Sequence, residues 1–118
     1  MSESPFDVTD DTFEAFISIN GVPIIIEFWD PWCSICEEMA PIYANLAKKY
    51  EGKMKFGKLN MRENPLLPEK FQVYVTPSFV FFKDCKEVHR AGGLIEPSNL
   101  EEELRKFYVS KPPYSAKD

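Results

Sequence analysis

The sequence predicts an α/β domain: a mixed sheet built from a βαβ unit and a C-terminal ββα unit, with helices on both faces. Val22 to Trp29 is a short, nearly all-apolar run rich in β-branched residues, the pattern of a strand covered on both sides. Met39, Ile42, Leu46 and Tyr50 then fall on one helical stripe, and the run from Lys53 to Leu59 alternates as a second strand. A β-prone run, a hairpin turn and a last amphipathic helix follow. The length agrees, since 118 residues make one compact domain and are too few for two ordinary ones.

Taken in order, the Thr9–Asp11 cluster offers capping oxygens to a first helix whose Phe13, Phe16 and Ile17 share a face, and Gly21 breaks that pattern. Asp30-Pro31 ends the first strand. The second helix begins near Cys33, is favoured by Ala40, Ala44 and Ala47, and carries Pro41, which should kink it. Gly52 closes it. Strand, helix and strand within about forty residues imply parallel pairing with a right-handed crossover. Asn64-Pro65 reads as cap then proline before a short helix through Phe71. Ser78 to Phe82 is a strand, Lys83-Asp84-Cys85-Lys86 a hairpin turn, and Glu87 to Arg90 the return strand. After the Gly92-Gly93 break, Ser98 and Glu101 form a capping box ahead of the stripe Leu100, Leu104, Phe107 and Tyr108. The expected organisation is an N-terminal segment (1–7), one domain (8–110) and a flexible tail (111–118) containing Pro112-Pro113.

Composition narrows the function classes. With 44% apolar residues and ten Phe, the chain can form a core without staples, which excludes a disordered tail protein and a minimal disulfide scaffold. A net charge of −5 argues against nucleic-acid binding, which needs a basic footprint. Met1-Ser2-Glu3-Ser4-Pro5 does not read as a signal peptide, and no apolar run approaches the roughly 18 residues of a membrane span. Three cysteines, two of them three positions apart, do not resemble a secreted disulfide framework. The expected compartment is the reducing cytoplasm, where such a pair is catalytic or metal-binding.

Trp32-Cys33-Ser34-Ile35-Cys36 sits where the first strand of the βαβ unit gives way to its helix. There a thiol faces unpaired backbone N–H groups and the positive end of the helix dipole, which favour the thiolate. Two intervening residues let the second sulfur reach the first and resolve a mixed disulfide. Cys33 is therefore the candidate nucleophile and Cys36, one turn further in, the resolving thiol.

On these residues the chain resembles the thioredoxin family, over residues 8–108. Ile26-Glu27-Phe28-Trp29-Asp30-Pro31-Trp32-Cys33 is similar to the family's strand and active-site entry, and Lys58-Leu59-Asn60 to its second parallel strand. Pro41 matches its helix-kinking proline, Thr76-Pro77 its cis-proline, and Gly92 its substrate-groove glycine. Between the cysteines stand Ser34-Ile35 in place of the usual Gly-Pro or Gly-His, and Glu37 and Glu38 follow where Lys is frequent. These acids oppose ionisation of Cys33 and point to a disulfide of fairly low potential. Glu27 replaces the family's buried Asp.

The resemblance implies a protein-disulfide reductase: Cys33 attacks, Cys36 resolves, a Cys33–Cys36 disulfide forms, and a separate thioredoxin reductase-type donor regenerates the dithiol. No prosthetic group or metal is implied, and the chain is expected to act as a monomer. Glu27, partnered by Lys58, takes the proton from Cys36, or else forms an ordinary structural pair. Trp32 and Ile35 are expected to dock substrate, Thr76 and Pro77 to pair with its backbone, and Ala91 and Gly92 to leave it room. Trp29 supports the site. Other readings remain open: an oxidase or isomerase, a binding module without turnover, or a Cys₃His zinc site completed by Cys85 and His89. Against zinc, Cys85 lies eight residues along an extended strand from Pro77, about 25 Å. Cys85 itself reads as an exposed free thiol.

Overall fold

The computed structural model describes residues 5–18, 21–92 and 96–110, without the side chains of 108–110. Gly93, the Tyr108 side chain and the tail from Lys111 lie outside the described residues. The described residues form five strands and four α-helices, in the order β1 (Phe6–Asp7), α1 (Phe13–Ile17), β2 (Ile24–Trp29), α2 (Ser34–Lys49), β3 (Lys55–Asn60), α3 (Leu66–Phe71), β4 (Ser78–Lys83), β5 (Lys86–Gly92) and α4 (Leu100–Ser110). The sheet runs β1-β3-β2-β4-β5. β1, β3 and β2 are parallel; β4 runs antiparallel to β2, and β5 antiparallel to β4, so that β5 points the same way as the parallel trio.

β2 is central and buried on both faces, as its unbroken apolar run requires. Ile25, Phe56, Phe79 and Phe81 pack against Met39, Tyr43 and Leu46 of α2 and Leu100, Leu104 and Phe107 of α4. On the other face Ile24, Ile26, Phe28, Val80 and Phe82 meet Phe13 and Ile17 of α1 and Leu67 of α3. The two-residue side-chain period of the strands thus sorts the helices into two layers. Glu27 and Lys58 fall on the α2 side.

Several local expectations changed partner. Phe6–Asp7 joins the sheet beside β3, adding a strand before the first helix. Asn64 does not cap α3; its side chain bonds Asn60 O and Asp10 N. The cap comes from Asp10, whose carboxylate accepts the N–H groups of Leu66 and Leu67 at 3.1 and 3.0 Å. Glu101 does not reach back to close a capping box either, because its carboxylate takes Lys49 and Tyr50 of the α2 end, and a 3₁₀ turn (Pro97–Asn99) precedes α4 instead. The β4–β5 hairpin turns through Asp84 and Cys85, both at positive φ (52° and 70°), the geometry of a two-residue primed turn. β5 extends past Arg90 to Gly92, with a bulge opposite Phe81 and Phe82.

Candidate active site

The loop after β2 is folded by its own aspartate. Asp30 Oδ1 accepts the Trp32 N–H at 2.8 Å, and the Asp30 carbonyl accepts that of Cys33 at 3.1 Å. This turn delivers Cys33 to the cap position of α2, where its Sγ accepts the Cys36 N–H at 3.2 Å. The sulfur thereby fills the role of a capping oxygen, and free helix N–H groups favour its anionic form. Burial works against ionisation of Cys33, but hydrogen bonds from Cys36, the Thr76 side chain and the backbone outweigh it and hold the thiol below its ordinary 9.0. Glu37 and Glu38, the acids expected to oppose this, are exposed.

Cys36 faces the opposite way in energy. It is 5% exposed, and burial, reinforced by the Cys33 sulfur, pushes it up to about 12. Two thiols one turn apart thus differ sharply in acidity, and both are free.

Behind them lies a cavity of about 510 Å³ whose walls include Glu27, Trp29, Cys33, Cys36, Pro41 and Lys58. Pro41 sits inside α2, whose helix runs unbroken from Ser34 to Lys49, and it forms part of this wall. Glu27 is 3% exposed, and its Oε2 has no hydrogen-bond partner among the described residues. Burial raises its carboxyl from 4.5 to about 7, with the charge of Lys58 opposing. Trp29 Nε1 is also buried without a partner among the described residues. Lys58 is the cross-strand neighbour of Glu27, yet its ammonium reaches Asp7 of β1, at 3.9 Å. The sequence pointed to the Glu27–Lys58 pair but carried no local signal for Asp7.

The Thr76-Pro77 peptide is cis, and the Thr76 carbonyl lies 3.7 Å from Cys33 Sγ, where it accepts the S–H. Trp32 and Ile35 are exposed, as a reactive loop requires, and the Arg62 guanidinium stacks 4.1 Å over the Trp32 ring. A shallow groove of about 350 Å³ runs past Tyr74, Val75, Ser78, Ala91 and Gly92. Gly92 pairs with Ser78, and a Cβ there would meet Ser78 Cα at 2.8 Å, so only glycine fits. Exposed Tyr74 and Val75, which sequence reasoning passed over, border this groove; their signal was an apolar pair stranded between a helix and a strand. His89 is drawn elsewhere, bonding Glu103 at 3.2 Å and packing on Phe81. Among the described residues no three His, Cys, Asp or Glu side chains gather to hold a metal, so the Cys₃His arrangement is not formed.

A dithiol split in acidity at a strand-to-helix junction, with a buried carboxyl behind it, defines a protein built for thiol–disulfide exchange. Comparison with known proteins gives the family. The thioredoxin family model matches residues 4–106. Thioredoxin 1 of Nostoc sp. is 34% identical over 99 residues, covering 84% of this chain and 92% of that protein. Thioredoxin of Synechocystis sp. is 32% identical over 107 residues, 91% of this chain and 99% of its own. The chloroplastic M-type thioredoxin of Spinacia oleracea is 33% identical over 101 residues, 86% of this chain and 56% of that one. The chain belongs to the thioredoxin family, and its activity is that of a thioredoxin-like disulfide reductase, a thiol–disulfide oxidoreductase.

Proposed function

We propose that Cys33 is the nucleophile and Cys36 the resolving thiol of a reductase acting on disulfides in other proteins. The Cys33 thiolate attacks one substrate sulfur; the substrate S–S bond breaks, a mixed disulfide forms, and the first substrate thiolate leaves and takes up a proton. Cys36 then loses its proton to ionised Glu27. Its thiolate attacks Cys33 Sγ, expels the second substrate thiolate and leaves a Cys33–Cys36 disulfide, two electrons having passed to the substrate. The observation that carries this is the placement of the two sulfurs: Cys33 Sγ at the start of α2 accepts the Cys36 N–H at 3.2 Å, which favours its thiolate, while Cys36 is 5% exposed and burial pushes it up to about 12. A thiol that high needs a base, and Glu27 at about 7 is half ionised near neutrality beside it in one cavity.

Lys58 tunes Glu27, and Trp29 and Pro41 support the cavity wall. Trp32 and Ile35 dock the substrate, Thr76 and Pro77 pair with its backbone as an added strand, and Ala91 and Gly92 leave the groove open. The dithiol is restored by a separate reductase-type donor. The protein works as a monomer in the cytoplasm, in electron transport and redox homeostasis, without nucleic-acid or membrane partners. Supporting this, its net charge is −5, and no described helix is long and apolar enough to cross a membrane. Insulin reduction driven by dithiothreitol tests the reading. Wild type should accelerate it, Cys33→Ser should abolish the acceleration, and Cys36→Ser should accumulate the mixed disulfide. A wild-type rate equal to background, with partner binding intact in Cys33→Ser, would make the protein a binding module.

A further inference from the structure

Three charged side chains form a row across the three parallel strands. Asp7 of β1 is the register partner of Lys58 on β3, and Lys58 is the register partner of Glu27 on β2. Register partners point to the same face, so one ammonium lies between two carboxyl groups of very different surroundings. The Asp7 side chain is 84% exposed, that of Lys58 38%, and Glu27 is buried. The ammonium makes its ion pair with the outer carboxylate, at 3.9 Å, while Glu27 Oε2 is left without a hydrogen-bond partner.

We propose that Asp7 is a positioning residue for Glu27: it draws Lys58 toward the open side of the sheet and so limits how much of that charge the buried carboxyl feels. This rests on the reading of Glu27 as the proton acceptor for Cys36. A buried carboxyl beside a fully committed ammonium would ionise readily and be a weak base; one with no cation near would stay protonated and accept nothing. Sharing the ammonium places Glu27 between these limits. The other polar groups lining the same cavity are Cys36, Glu37 and Tyr43 from α2, Trp29 of β2, and Cys33 and Asp30 from the loop after β2. β4 brings only Phe79 opposite it. Lys58 is therefore the one cation among the described groups facing Glu27.

The test is the Glu27 titration, followed by carbon NMR in the reduced full-length protein, together with the pH profile of mixed-disulfide resolution. Asp7→Asn should lower the Glu27 midpoint by about 0.3 to 0.7 of a pH unit, the range a solvent-exposed ion pair can supply. The resolution profile should move by the same amount, and Asp7→Glu should restore both. In a Lys58→Met background Asp7→Asn should move nothing, because its lever is gone. An unmoved midpoint overturns the proposal, as does an equal shift with and without Lys58, which would mean that Asp7 acts by its own field. If the midpoint moves through Lys58 but the rate profile does not, the hold of Asp7 on Lys58 is supported, and the proton-acceptor role of Glu27 fails instead.

Discussion

Replacing Glu27 by Gln should stabilise the protein above neutrality and leave it unchanged in acid. The folded carboxyl titrates at about 7 because burial disfavours its charge, whereas the unfolded chain returns it to about 4.5. Below the lower value both states hold the proton and the group costs nothing. As pH rises the unfolded state ionises first, so stability is lost from about 4.5 up to about 7, and above that the folded state carries the full penalty. At about 1.4 kcal/mol per pH unit, that interval amounts to about 3 kcal/mol. Glutamine keeps the shape and cannot ionise, so it escapes the penalty. Urea unfolding of the reduced protein, followed by tryptophan fluorescence across this pH range, reads the effect. The wild-type and Glu27→Gln curves should meet near the acid end and separate by about 3 kcal/mol on the alkaline side. A gap that does not change with pH, or a Gln variant less stable above neutrality, refutes the argument. The same variant should resolve mixed disulfides slowly, so stability would rise as function falls.

In a Cys85→Ser background, iodoacetamide should modify one thiol, Cys33, with a midpoint below 9.0, while Cys36 stays unmodified at neutral pH; equal labelling of both would contradict the acidity split. Gly92→Ala puts a methyl group 2.8 Å from Ser78 and should cost about 1–3 kcal/mol in unfolding experiments and raise KM for insulin, so a neutral result on both counts against the groove. Asp10→Ala removes the acceptor for the Leu66 and Leu67 N–H groups and should cost about 0.5–2 kcal/mol, checked by thermal unfolding. Trp32→Ala should raise KM for a protein disulfide while sparing the rate with a small disulfide reagent; parallel losses would place Trp32 in the chemistry instead of the docking surface.

Strong periodicity made the inner frame legible. The apolar run of β2, the stripe of α2 and the alternation of β3 are patterns that only one pairing buries, and they bring Cys33 to a helix start and Glu27 to Lys58. The turn at Asp84-Cys85 was legible for the same local reason. What the sequence hid is held by contacts far apart in the chain. β1 is two residues long, too short for any period, and pairs only because β3 offers an open edge. Asn64 looks like a cap, but Asp10 reaches the α3 N–H groups from 56 residues away. Glu101 has the spacing of a capping box, yet Lys49 and Tyr50 present a cation and a hydroxyl to it across the helix interface. Lys58 likewise makes its ion pair with Asp7, far away in the chain, which spacing along the sequence does not record.

The reduction potential of the Cys33–Cys36 couple, titrated against defined thiol buffers and followed by the fluorescence of Trp29 and Trp32, tests the reductase reading most directly. A value of about −270 mV or lower, the range of thioredoxins, is the predicted result and fits a donor of electrons to protein disulfides. A value of about −180 mV or higher would mean that the reduced dithiol is strongly stabilised, and would contradict reduction in favour of oxidation or isomerisation.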